Sequence, residues 1–269
     1  MATATAELTK HNVVSHDKWT AARMELLAKE KEFTQLRDEL SRERRELPWE
    51  RVESQYEFEG PNGKVPFAKL FGKRSQLVVY HFMLGPGWSE GCKSCSYLTD
   101  HFDAITDHLA NRDVNLVLVS HAPYAEFQAF KQRMGWKIQW YSSFGTAFNF
   151  DYHVSFTPGE MAAGKGQYNY REIKPPVEEL PGLSVFFKDA EGEIFHTYST
   201  YERGLDILVG TYNVLDHVPK GRDEAGLSDT MAWVRHHDKY TDRYEAAPAG
   251  VGQTEQPVSA SPSCCSGSH

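Results

Sequence analysis

Cysteine is scarce, with four residues in a chain of 269. That is too few for a disulfide scaffold, so a paired thiol motif here reads as catalytic or metal-binding rather than structural. Nowhere do ~18 apolar residues run together, the length a bilayer-spanning helix needs, so no membrane partner is expected. The stretch Met1–Val14 is polar and Ala/Thr-rich, without the basic start and apolar run of a secretory signal, which points to the cytoplasm and its reducing conditions. Positive charge is short as well. The formal net charge is -8 and the basic residues alternate with acids, leaving no field to draw in a polyanion, so nucleic acid is not an expected partner.

What is present suits one sizeable core: 40% of residues are hydrophobic and 13% aromatic. Three parts are expected: a segment 1–47 with a long amphipathic helix, a domain 48–240, and a polar, proline-dotted tail 241–269 that is expected to be disordered. The helix is read from Ser15 to Leu47. Trp19, Leu26, Phe33, Leu40 and Leu47 recur every seven residues, with Ala22 and Leu36 on the adjoining stripe, and Pro48 ends the run. Lys29 and Glu43 interrupt the second seam. The stripe therefore serves either packing on the chain's own domain or a homodimer contact with a second copy.

Beyond a hairpin at Gly60-Pro61-Asn62-Gly63, Gln76 to Leu84 reads as a buried strand. The loop Gly85 to Gly91, a helix from Cys92 to about Asn111, a strand Val114 to Ser120 and a helix Tyr124 to Met134 follow, which makes a strand-helix-strand unit. Trp136 to Phe144 reads as a further strand, and Gly145 to Pro181 as an irregular insertion. Leu183 to Lys188 and Glu193 to Ser199 form a hairpin across Asp189-Ala190-Glu191-Gly192, before helical stretches Leu205 to Val218 and Ser228 to Tyr240.

The chemistry lies at Cys92-Lys93-Ser94-Cys95, where a strand hands over to a helix. The spacing sets both sulfurs on one turn at the helix N-terminus, whose unpaired N–H groups stabilise a thiolate. Cys92 is the expected nucleophile and Cys95, one turn deeper, the resolving thiol. Lys93 is expected to lower the Cys92 pKa and Glu90 to oppose it. A metal site and inert thiols are the competing readings. His81, Asp151, His153 and His196 read as hydrogen-bonded structural residues, and the aromatic stretch Phe148 to Phe156 as core. Cys264 and Cys265 sit in the tail. Neither cofactor nor metal is called for.

A βαβ unit followed by a ββα unit, with Cys-x-x-Cys opening the first helix, resembles the thioredoxin superfamily. ELPWERVE (Glu46 to Glu53), GCKSCSYLTD (Gly91 to Asp100), FNFDYHVSF (Phe148 to Phe156), PGLSVFFKD (Pro181 to Asp189) and HTYSTYERGLD (His196 to Asp206) are similar to a bacterial domain-of-unknown-function family described as predicted dithiol-disulfide oxidoreductases. The likeness runs from about Val13 to Tyr240. It implies a three-layer thioredoxin-like α/β fold around a central mixed sheet, and exchange with a protein or small-molecule disulfide. Where the superfamily has Trp before the first cysteine this chain has Gly91, with Trp88 the nearest tryptophan; Lys93-Ser94 replaces Gly-Pro between the cysteines. The superfamily's substrate-facing cis-proline falls on Pro181, with Gly182 inserted before the strand. Two alternatives stand beside the oxidoreductase: a binding scaffold on the same fold, and a peroxiredoxin-like peroxidase, for which Ser89 fits the motif but Gly85 stands where proline belongs.

Overall fold

The computed structural model describes residues 11–241, and the elements below belong to the compact unit that ends at Lys239. Helix α1 spans His16–Glu46. The Ser15 hydroxyl caps it by accepting from the Lys18 N–H at 3.5 Å. Asp17 lies in the first turn and Arg44 and Arg45 in the last, so both ends complement the helix dipole. No residue of α1 is buried, and Trp19 and Phe33 are 57% and 63% exposed. The stripe is thus not covered by the chain's own domain, contrary to the first reading; α1 meets the body near Arg44, which lies 5.5 Å from the Tyr198 ring centre. Among the described residues no helix is long and apolar enough to cross a membrane.

Strand β1 (Glu50–Arg51), the hairpin β2 (Glu57–Gly60) and β3 (Gly63–Pro66), and the single turn α2 (Phe67–Leu70) lead to the central strand β4 (Gln76–His81). Helices α3 (Lys93–Asp103) and α4 (Thr106–Ala110) connect it to β5 (Val114–Ser120), and α5 (Tyr124–Met134) connects β5 to β6 (Gln139–Ser142). The insertion holds α6 (Phe148–Asp151), α7 (Pro158–Ala163) and a small hairpin of β7 (Gly166–Tyr168) and β8 (Arg171–Ile173). Strands β9 (Gly182–Lys188) and β10 (Ile194–Tyr201) follow, then a 3-10 segment Glu202–Leu208 and α8 (Gly210–Leu215).

The main sheet runs β1-β10-β9-β4-β5-β6-β2-β3. β4, β5 and β6 are parallel, whereas β9 pairs antiparallel with β4 and β10 with β9. This is the βαβ-then-ββα thioredoxin-like arrangement, lengthened by β6 and the β2–β3 hairpin at one edge and by β1 at the other. Strand alternation sends Tyr80, Leu116 and Leu118 to one face, where α3 and α5 cover them with Leu98, Phe102, Phe127 and Phe130. Leu77, Val79, Val117 and Val119 go to the other face and pack with Phe58, Phe67, Phe71 and Phe148. Because both faces are covered, β4 and β5 read as near-continuous apolar runs.

The helix expected through Asn111 breaks after Asp103. The Ile105 N–H bonds the Phe102 carbonyl three residues back at 3.2 Å, tightening the turn. The freed Asp103 carboxylate then accepts the N–H groups of Lys137 and Ile138, both at 2.7 Å, which fixes the entry to β6. The expected strand Trp136 to Phe144 shrinks to β6, and the helix Leu205 to Val218 splits into the 3-10 segment and α8. The stretch Ser228 to Tyr240 is not an α-helix: it runs through turns to a 3-10 turn at His237–Lys239, its side chains bonded to the loop before α3, to α3 and to α5. Cys264, Cys265 and the expected disordered tail beyond 241 lie outside the described residues.

Candidate active site

The site forms where the parallel strands end. After β4 the chain stays hydrogen-bonded to its neighbours: Phe82 donates to the Val119 carbonyl at 2.9 Å, and Ala122 to the Leu84 carbonyl at 2.9 Å. The loop turns at Gly87, whose φ of 76° suits glycine and whose N–H donates to Glu126 at 2.7 Å. It returns so that the Cys92 N–H donates to the Met83 carbonyl at 3.1 Å. At Gly91 only glycine fits, because a Cβ would lie 2.5 Å from Phe82 and 2.7 Å from Phe130.

Cys92 is the N-cap residue of α3, with an extended backbone at φ -55° and ψ 131°. Its carbonyl accepts the Ser96 N–H at 2.9 Å and the Ser96 hydroxyl at 2.8 Å. Cys92 is half-buried and Cys95 is 1% exposed, and both are free thiols. The Cys92 pKa is pulled from 9.0 down to about 6. The Cys95 thiol hydrogen bond is the leading cause; burial opposes it, and the N–H groups of Cys95 and Ser94 and the Ser94 hydroxyl add to it. Cys95 moves the other way, pushed up by burial and by its hydrogen bond to and charge interaction with Cys92. The two thiols have therefore been driven apart into one thiolate and one proton donor.

Behind them lies a residue that sequence reasoning missed. The fully buried Tyr80 bonds the Cys95 sulfur and has its own hydroxyl pKa raised, chiefly by burial and then by the charge of Cys95. Strand alternation carried the signal, since Tyr80 shares the face of Val78 and Phe82 toward α3.

Lys93 and Glu90, the expected tuning residues, are bonded to other partners. Lys93 donates to the Ala232 carbonyl at 3.3 Å, and Glu90 is bound to Arg133 and to Lys239 at 2.7 Å. Those bonds hold the Glu90 carboxyl down at about 2, and the leading causes of the downward Cys92 shift are the Cys95 and Ser94 groups. Trp88 packs against the apolar cluster that Cys92 also touches. Pro181 is not a cis-proline, since the described residues contain no cis peptide bond. It leads into β9 by a trans bond, and its carbonyl accepts the Tyr168 hydroxyl at 2.7 Å.

The remaining candidates sit elsewhere. His81 bonds Ser184 at 2.9 Å, Ser184 bonds Ser199 at 2.8 Å and Ser199 bonds His196 at 2.7 Å. This chain lies on the sheet face opposite Tyr80 and the thiols. Asp151 accepts the Tyr56 hydroxyl at 2.6 Å, and Phe148, Tyr152 and Phe156 are core. Among the described residues no group of three or more His, Cys, Asp or Glu side chains is placed to hold a metal ion.

No curated protein matches the chain. Among solved structures, peroxidoxin BcpB from Mycobacterium tuberculosis is 11% identical, with 62% of this chain and 97% of that one aligned at a TM-score of 0.40. A peroxiredoxin Q from Xanthomonas campestris is 11% identical over 60% and 96% of the two chains, TM-score 0.38. A candidate protein disulfide isomerase from Bacteroides thetaiotaomicron is 16% identical over 62% and 91%, TM-score 0.35. The family model described as "Bacterial protein of unknown function (DUF899)" matches residues 8–240. With that match running through nearly the whole chain, from before α1 to past the 3-10 turn at Lys239, the protein belongs to this bacterial family.

Proposed function

We propose that the protein is a thiol-disulfide oxidoreductase in which Cys92 attacks and Cys95 resolves. One observation carries the reading: a half-buried Cys92 at the N-cap of α3, its pKa drawn to about 6, beside a buried Cys95 that keeps its proton. The Cys92 thiolate attacks one sulfur of a substrate disulfide, forming a mixed disulfide and expelling a substrate thiolate that takes a proton from solvent. Cys95 then gives up its proton and attacks the Cys92 sulfur, which releases the second substrate thiol and leaves a Cys92–Cys95 disulfide. An external dithiol returns the pair to its reduced state. Tyr80, bonded to Cys95, is placed to support the charge that develops there.

The test is reduction of a protein disulfide in the presence of a small dithiol, with the wild type compared with Cys92→Ser and Cys95→Ser. Loss of turnover in both supports the reading, with the larger loss expected for Cys92→Ser. Equal, uncatalysed rates in all three proteins would leave a thioredoxin-like scaffold instead.

A further inference from the structure

We propose that His236 is a positioning residue for Cys92, fixing the peptide plane between Gly91 and Cys92 from which the Cys92 side chain leaves the backbone. The proposal rests on the dithiol reading above and adds a residue to it.

His236 belongs to a strap, residues 229–239, that crosses the start of α3. Lys93 donates to the strap's Ala232 carbonyl at 3.3 Å, and Lys239 bonds Glu90 at 2.7 Å. His237 bonds Asp100 at 2.7 Å, the Trp233 ring meets Tyr97 edge-on at 5.6 Å, and Val234 is fully buried. The strap is therefore attached both before the Cys-x-x-Cys motif and along the helix that follows it.

His236 is its innermost polar group, 6% exposed, with its ring edge-on to Phe130 at 5.2 Å. Arg133 donates to its Nδ1 at 2.9 Å. A guanidinium only donates, so Nδ1 presents a lone pair and the imidazole proton sits on Nε2. Nε2 then donates to the Gly91 carbonyl at 2.9 Å. The charged groups around the ring form one set: Glu90 lies 3.7 Å from Nδ1, Arg133 also binds Asp238 at 3.1 Å, and Lys239 binds Glu90.

The carbonyl of Gly91 and the N–H of Cys92 belong to the same planar peptide unit. One end is held by His236 and the other by the Met83 carbonyl at 3.1 Å. Two bonds at opposite ends of a rigid plane stop it rotating, and its orientation sets where the Cys92 side chain leaves the backbone. Phe82 and Phe130 crowd Gly91 so closely that even a Cβ there would lie 2.5 and 2.7 Å from them. The Ser94 and Cys95 N–H groups help to lower the Cys92 pKa, so where the side chain leaves the backbone sets how much of that stabilisation the sulfur receives.

The experiment follows alkylation of Cys92 by iodoacetamide as a function of pH, read on the Cys92 peptide by mass spectrometry in the full-length protein. His236→Phe keeps the ring packing and loses the donor, and its ionisation midpoint is expected to rise by about one unit, slowing alkylation about fivefold at the wild-type midpoint. His236→Gln places an amide N–H within reach of the Gly91 carbonyl and is expected to restore the rate to within about twofold. A Phe variant that titrates with the wild type, or a Gln variant that stays with Phe, overturns the proposal. A wild type that titrates as an ordinary thiol overturns the dithiol reading itself, a separate result. Imidazole 15N shifts of the wild type give a check that needs no variant. The Nε2–H form is expected, and the Nδ1–H form at His236 overturns the proposal.

Discussion

Replacing Cys95 by alanine removes the hydrogen bond that does most to hold the Cys92 thiolate. The native shift, from 9.0 to about 6, corresponds to about 4 kcal/mol of preference for the charged form. The Cys95 thiol is its largest cause, while the Cys95 and Ser94 N–H groups and the Ser94 hydroxyl survive the substitution. The Cys92 midpoint in Cys95→Ala should therefore rise by about one to two units, short of a free thiol. At neutral pH the ionised fraction then falls from about nine-tenths to about half or less. Cys95→Ser keeps a donor at the same place and should shift less. Thiolate absorbance in the ultraviolet, measured against pH and corrected with Cys92→Ser, reads the midpoint directly. An alanine variant that titrates with the wild type would refute the reasoning, because helix-end N–H groups alone would then account for the thiolate.

Other expectations follow from the same geometry. Lys93→Met should leave the Cys92 midpoint within about 0.3 units in that titration, because the ammonium serves the Ala232 carbonyl and not the sulfur. Gly91→Ala would place a methyl 2.5 Å from Phe82 and 2.7 Å from Phe130 and should destabilise by about 1–3 kcal/mol, seen as a lower thermal midpoint. His81, buried and held neutral with its pKa lowered from 6.5 to about 3, binds a proton only after unfolding. In the window between those values the unfolded state carries more protons, so its contribution is present above about pH 6.5 and is lost as the pH falls, by up to about 1.4 kcal/mol per unit. Urea midpoints should fall across that window in the wild type and follow a flatter profile in His81→Gln.

Much of the frame was legible because it rests on local rules. Ser15 and Pro48 bracket α1, the apolar runs at 76–81 and 114–120 are strands covered on both faces, and the Gly60–Gly63 turn forms a hairpin. Cys92 was readable as an N-cap thiol because the helix start, a local feature, places it. What could not be read came from long-range partners. Lys93 and Glu90 are neighbours of Cys92 in sequence, yet they are drawn to residues 232, 133 and 239. The strap is expected as a helix from Ser228 to Tyr240, but its polar groups find tertiary partners on α3, α5 and the Gly85–Gly91 loop, and these outweigh local propensity. Periodicity likewise gives α1 an apolar stripe without saying whether anything covers it. Tyr80 differs from these: it was missed, although alternation along β4 places it on the face toward α3.

The most direct test of the central claim is covalent capture on Cys92. Reduced Cys95→Ser incubated with a small disulfide should accumulate a mixed disulfide mapped by mass spectrometry to Cys92, while wild type treated alike passes on to a Cys92–Cys95 bond. Failure of Cys95→Ser to hold an adduct at Cys92, or an equal total yield of mixed disulfide in a Cys92→Ser protein, would contradict the account.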